Sequence, residues 1–294
     1  MSPLDWGAAL AVIFIWALNF VVAKVGVSEI PPLFLLALRF ALVAVLLAPF
    51  LKPPRGAWRP MLALSVVLGG LHFGLLFVGL QEVDAGPAAI AIQLAVPFST
   101  ILAWIVYRER MGAWQITGLI IAFMGVYALA GDPAYSPDPL YFGLVVGGAL
   151  AWACANILIK RLVAVRPIVV NGWLALMAAP QLFVMSTLLE TGQWRAIAEA
   201  DWRGWGAIVY MAVGASIIAY GLWYYLLGKY AVNRVVPLTL LAPVLAVFLA
   251  VAILEEPLTL NILIGGVVTI TGVAMIQFLK PGALKPSRKP PGPL

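Results

Sequence analysis

Residues 97–110 read PFSTILAWIVYRER, and residues 243–256 read PVLAVFLAVAILEE. Pro97 aligns with Pro243 and Glu109 with Glu255, with an apolar run of equal length between them. The arginines beside the first acid, Arg108 and Arg110, become Leu254 and Glu256 in the second copy. A segment used twice, and stripped of positive charge the second time, ends in different surroundings each time. Other pairs extend the match. Trp16, Lys24 and Pro31 correspond to Trp152, Lys160 and Pro167 at a separation of 136, and Gly118 and Gly125 correspond to Gly265 and Gly272 at 147. A drifting separation is what loop insertions produce.

Composition names the surroundings. Of 294 residues, 64% are hydrophobic and 10% charged, and the mean hydropathy is +1.04. Soluble domains carry about 25% charged residues, so the solvent of this chain is largely lipid. A bilayer core takes about 20 apolar residues per helix. Ten such runs are legible, over 5–27, 32–51, 60–80, 85–107, 112–130, 139–162, 168–189, 204–227, 233–254 and 258–279. Breaks rich in Pro, Gly and charge separate them. The longest, 191–204, carries Trp194 and Trp202 with Trp205 just beyond, a composition suited to the membrane interface. The first run lacks a basic leader segment and a small-residue cleavage site, and reads as a retained helix. Cys154 is the single cysteine, so no intramolecular disulfide is possible.

With the N-terminus in the cytoplasm, the cytoplasmic loops and ends collect Lys52, Arg55, Arg59, Arg108, Arg110, Lys160, Arg161, Arg166, Lys229, Arg234, Lys280, Lys285, Arg288 and Lys289. The other side receives Lys24, Arg195 and Arg203, and Arg39 falls inside span two. This positive-inside bias places both termini in the cytoplasm. It also accounts for the net charge of +6 without any nucleic acid partner. Five spans per repeat is an odd number, so the second repeat enters the membrane inverted and its RER becomes EEP. The expected fold class is an all-α integral membrane protein of ten transmembrane helices in two inverted five-helix repeats. The first covers 1–130, a connecting loop 131–138, the second repeat 139–280, and a basic, disordered cytoplasmic tail 281–294. Inverted repeats mark secondary transporters, with a midplane site at the repeat interface and alternating access.

The stretches RERMGAWQITGLIIAFMGVYAL at 108–129 and LEEPLTLNILIGGVVTITGVAMI at 254–276 resemble the paired signature of the drug/metabolite transporter superfamily. Within it, the chain is similar to the ten-helix EamA-type exporters, and most like bacterial aromatic amino acid exporters. The resemblance covers nearly the whole chain. It implies a central cavity lined by spans one to four and six to nine, spans five and ten set to the side, and a place in the bacterial inner membrane. Its members move amino acids, other metabolites, drugs and, in distant branches, nucleotide sugars and phosphorylated compounds.

Polar groups inside spans are costly and mark function. All 12 acids lie in loops or at span ends. His72 in span three is then the one mid-span group titrating near neutrality, which leaves two couplings: a uniporter, or a carrier with His72 as proton site. His72 also matches a polar pocket position in the resembled exporters, against the plainer role of bonding a backbone carbonyl. Trp16 and Trp152 are repeat-related and mid-span, and Asn19 and Asn156 follow each by about one turn on the same face. They offer aromatic faces and amides to a zwitterion, or bridge helices. Gln93 and Thr239 each precede a shared proline by four residues, and Pro97 and Pro243 are hinge candidates because proline frees a carbonyl one turn back. In span eight Ser216, Tyr220 and Trp223 or Tyr224 form one stripe. Lys24 is expected to snorkel to headgroups, and Arg39 either meets a substrate carboxylate or reaches the interface. Gly118, Gly125, Gly265 and Gly272, paired at seven residues, are packing positions for spans five and ten or a dimer surface.

The expected function is secondary export of small amphipathic metabolites, amino acids and aromatic ones among them, with multidrug or other metabolite export as the alternative. One His, one Cys and no mid-span acid argue against a membrane enzyme, a metal site or a cofactor. No filter motif suggests a channel, and no Walker motif suggests ATP coupling. The bilayer and a small-molecule substrate are the expected partners, and the oligomeric state is open, a monomer included.

Overall fold

The computed structural model describes residues 1–54, 56–108, 111–131, 138–162 and 164–279, with the side chains of residues 232 and 233 left aside. The expected disordered tail, Glu109 and Arg110, and most of the connecting loop lie outside those residues. Ten helices are long and apolar enough to cross a membrane: α1 (Pro3–Glu29), α2 (Pro32–Phe50), α3 (Trp58–Gly79), α4 (Ala85–Tyr107), α5 (Ala113–Ala130), α6 (Pro139–Leu162), α7 (Pro167–Leu189), α8 (Trp202–Lys229), α9 (Val236–Leu254) and α10 (Leu260–Phe278). The expected spans are found with ends moved by a few residues. Their starts follow ordinary capping chemistry. Pro32, Pro139 and Pro167 stand at first helical positions, where a missing N–H costs nothing. Ser2, Asp138, Asp201 and Thr259 cap with side-chain oxygens. The 191–204 connection contains a short helix, Gln193–Glu199.

Local irregularities recur in the two halves. Ser65–His72 in α3 and Tyr210–Ile218 in α8 are wide, π-helical turns. Ile92–Leu94 in α4 and Val236–Leu240 in α9 are tight 3-10 turns, each just ahead of a buried proline, Pro97 or Pro243. Irregular backbone in a span survives only where protein surrounds it or it lines a cavity. Arg108 and Glu255 both have positive φ, 53° and 56°. At the helix ends the equivalent of Arg108 is therefore Glu255, and not Leu254, because α9 runs one residue longer between its proline and this turn.

α5 and α10 lie side by side through their glycines. A methyl group on Gly118 would sit 2.7 Å from Gly272 O, and one on Gly125 2.7 Å from Gly265 O. The glycine faces are thus spent inside the chain, and the dimer-surface alternative is not needed for them.

The two ends of the bundle differ. At the end opposite the N-terminus, the far end, α1, α4 and α9 close on a dry set of small residues, among them Ala17, Val21, Ala85, Ala89, Ala246 and Ala250. Lys24 does not snorkel. Its Nζ donates to the carbonyls of Leu80, Gln81 and Val83, at 2.9, 3.3 and 3.0 Å, at the end of α3. Glu256 accepts from the backbone N–H of Ala85 and Gly86 at 2.6 and 2.9 Å, at the start of α4. The α3–α4 turn is thereby clamped between α1 and the end of α9. Burial raises the Glu256 carboxyl above its ordinary value, with Asp84 adding to it and the two amides and Lys24 opposing. Burial likewise raises Asp84, against Lys24. A second carboxylate, Glu190, accepts from Leu33 N and Phe34 N at 2.7 and 3.1 Å and ties the end of α7 to the start of α2. At the near end the second half of α4 packs on α6, and no comparable packing joins it to the start of α9 among the described residues. Instead the buried Asp5 of α1 pairs with Lys229 of α8 at 2.9 Å.

Candidate functional site

Two aromatic groups occur within the spans. In the first, Trp16 of α1 meets Tyr220 and Trp223 of α8 at centroid distances of 5.5 and 5.3 Å, and Tyr224 stacks on Tyr220 at 6.0 Å. The spacing of four residues along α8 puts Ser216, Tyr220 and Tyr224 on one face, while Trp223 reaches Trp16 from the adjacent position. In the second, His72 of α3 packs 5.0 Å from Trp152 of α6 and 4.6 Å from Phe73. His72 is buried, and its Nδ1 is 2.9 Å from Gly148 O. A carbonyl only accepts, so Nδ1 carries a proton and donates. The plainer role foreseen for His72 is therefore present, and it leaves Nε2 uncommitted.

Arg39 joins the two groups. The sequence leaves open that it reaches the interface; it does not. It is 2% exposed, with Nε and Nη2 on Ser216 Oγ at 3.3 and 3.0 Å. Its guanidinium carbon lies 4.8 Å from the centroid of Phe73 and 5.4 Å from that of Phe40. The wide turn of α8 supplies the geometry: Ser216 Oγ donates to Met211 O, five residues back, at 2.8 Å. Side chains from α2, α3, α6, α8 and α1 thus form one continuous chain of contacts, running Trp152, His72, Phe73, Arg39, Ser216 and, a turn further along α8, Tyr220 on Trp16.

Other candidates fall elsewhere. Asn19 is half-buried beyond Trp16, and its Oδ1 has no hydrogen-bond partner. Asn156 is exposed and bridges to Ser99 of α4 at 3.3 Å, the helix-linking role rather than a place with Trp152. Thr239 returns its hydroxyl to Val236 O in its own turn at 2.7 Å, so that oxygen's proton is already used. Gln93 is half-buried inside the 3-10 turn before Pro97. No cluster of three or more His, Cys, Asp or Glu able to hold a metal occurs among the described residues. A cavity of about 610 Å³ opens at the far end beside Glu190, Glu29, Gln81 and Tyr141, away from the aromatic belt.

Ten helices apolar enough to cross a membrane, around a part-buried polar and aromatic belt, make this a multi-pass membrane protein. The chain belongs to the EamA-like transporter family, whose model matches residues 6–131 and again 140–278. It is 33% identical over 287 residues to a probable amino-acid metabolite efflux pump of Escherichia coli K12, covering 95% of this chain and 96% of that one. The same figures hold for a protein of that description from Salmonella typhimurium LT2. A crystal structure 20% identical superposes with a TM-score of 0.65 over 93% of this chain and 96% of the other, a likeness of fold.

Proposed function

We propose that the protein exports amino acids and related amphipathic metabolites, aromatic side chains included, by alternating access between two inverted repeats. The observation carrying this reading is the belt itself: Trp16, Tyr220 and Trp223 on one side, His72 and Trp152 on the other, with aromatic faces able to stack on an apolar side chain and attract an ammonium group. The efflux pumps of similar sequence support the same cargo. In this reading both termini face the cytoplasm of a bacterial inner membrane, following the basic loops. The far end is then periplasmic and closed, and the recurring π and 3-10 turns are where the halves flex. In this reading Asn19 and Gln93 serve the same pathway, and Pro97 and Pro243 are its hinges. Coupling runs either through His72, whose free Nε2 takes a proton without breaking the Gly148 bond, or by uniport down the substrate gradient.

Uptake of labelled Phe, Trp, Thr and Met into proteoliposomes, with and without a pH gradient, tests this. Saturable uptake of at least one is expected. Dependence on the gradient that disappears in His72→Ala selects the proton carrier; indifference to it in both proteins selects the uniporter. No uptake of any amino acid by folded protein would overturn the cargo and turn the search to other metabolites and drugs.

A further inference from the structure

Arg39 is a charge without a counter-charge. The ion pairs present among the described residues are Arg195 with Glu199 and Lys229 with Asp5, both remote from it. Its contacts are one serine hydroxyl and the faces of phenylalanine rings. Nη1 is buried and has no hydrogen-bond partner. Ser216 occupies the edge of the guanidinium formed by Nε and Nη2, so the opposite edge, Nη1 with the second proton of Nη2, is left for two parallel bonds. That edge matches the two oxygens of a carboxylate in a bidentate pair. An uncompensated cation inside a span is expensive, and among the described residues no acid pairs with it. The belt is asymmetric in the same sense. It offers a guanidinium to an anion and, among the described residues, ring faces to an ammonium group.

Resting on the amino acid reading of the same site, we infer that Arg39 is the carboxylate-binding residue of the transporter. The substrate class is then carboxylates bearing an apolar or aromatic body, and the α-ammonium of an amino acid is a secondary feature. Ser216 is the positioning residue that presents the free edge. The surrounding rings exclude water, which strengthens the pairing.

Three probes separate the parts of phenylalanine: L-phenylalanine itself, 3-phenylpropionate, which lacks the amine, and 2-phenylethylamine, which lacks the carboxylate. The first readout is thermal stabilisation of the purified protein, which needs no transport. The second is competition with labelled phenylalanine uptake. 3-Phenylpropionate is expected to stabilise the wild type and to compete, and 2-phenylethylamine to do neither. Arg39→Gln should raise the half-saturating concentration of both carboxylates about tenfold or more, the worth of a charge-assisted hydrogen bond. Arg39→Lys, which keeps the charge without the fork, should recover part of the loss. If Arg39→Gln does not fold, the wild-type contrast and Arg39→Lys decide the matter. The inference is overturned if 2-phenylethylamine binds as well as 3-phenylpropionate, if neither binds, or if Arg39→Gln keeps the wild-type preference. Those results leave phenylalanine uptake by the wild type intact. Failure of that uptake is what sinks the cargo reading instead.

Discussion

Replacing Gly272 by alanine puts a methyl group where the backbone of α5 already stands. Its carbon would lie 2.4 Å from Ala122 N, 2.6 Å from Gly118 O and 2.9 Å from Ala122 Cα. Ordinary carbon contacts are about 3.5–4.0 Å, and none of these three atoms belongs to a side chain that can swing away. α5 and α10 would have to part by roughly 1 Å at this crossing, against the contact distances just given, loosening the seam at Gly125 and Gly265 as well. Overpacking costs typically about 1–3 kcal/mol, and backbone obstruction on every side puts this case near the top, at about 3 kcal/mol. At about 2–4 °C per kcal/mol for a chain of comparable size, the unfolding midpoint in detergent should fall by roughly 6–12 °C. Gly143→Ala is the control, because nothing lies within 4 Å of its added methyl. Alanine there should be neutral or stabilising by about 0.5–1 kcal/mol. The midpoint is read by fluorescence-detected size exclusion after heating. A Gly272→Ala midpoint indistinguishable from that of Gly143→Ala would refute the claim that backbone contact between these helices sets the packing.

The clamp on the α3–α4 turn makes a pH prediction. Burial raises the carboxyls of Glu256 and Asp84, so the folded state binds their protons more tightly than the unfolded chain, and their contribution grows as pH falls from neutral into the ordinary carboxylate range. The midpoint should rise over that interval, and Glu256→Gln should flatten the rise; an unchanged profile in the variant would remove Glu256 as its source. Glu256→Ala leaves the N–H groups of Ala85 and Gly86 without a partner and should cost about 1–3 kcal/mol. In a Cys154→Ser background, a cysteine at Ala89 should then react with an impermeant maleimide from the far side; continued protection would show that the clamp does not hold this end shut. Trp152→Ala should reduce amino acid uptake at least about tenfold, the worth of a stacked aromatic contact with its buried area, and near-normal uptake would exclude it from the site. Thr239→Val should leave uptake within about twofold, since its hydroxyl is spent on Val236 O and exposed or self-satisfied positions shift energies by about 0.5 kcal/mol or less.

What the sequence disclosed followed its strongest physical signals. Ten spans were legible because each needs an unbroken apolar run, and the glycines of α5 and α10 because their spacing repeats. Trp16 and Trp152 stood out as large aromatics far from any loop. Arg39 was only half legible: its type and depth were visible, but whether it points to lipid, headgroups or core depends on the rotation of α2, which an all-apolar helix does not encode. Lys24 departs from its expected place for a related reason, since its partners are backbone carbonyls of a turn more than fifty residues away and carry no sequence signature. The same holds for Glu256, which reads as an ordinary loop acid. Asn156 illustrates the converse, because a conspicuous residue one turn from a tryptophan faces a serine on another helix. The π turns of α3 and α8 left no sign beyond the glycines within them, and glycine is common throughout this chain.

The bonds that clamp the α3–α4 turn all end on main-chain atoms: three carbonyls for Lys24 and two amides for Glu256. Such a clamp reads the shape of the chain and is blind to its lettering. The clamp itself therefore asks nothing of the exposed side chains of Gln81 and Glu82, whereas Leu80, Val83 and Ala85 are held by their burial. Gly86 is the exception, for a methyl group there would meet Glu256 Oε2 at 3.3 Å. Substitution tolerance along this turn should be wide at Gln81 and Glu82, narrow at Gly86, and lowest at Lys24 and Glu256, which lie outside the turn.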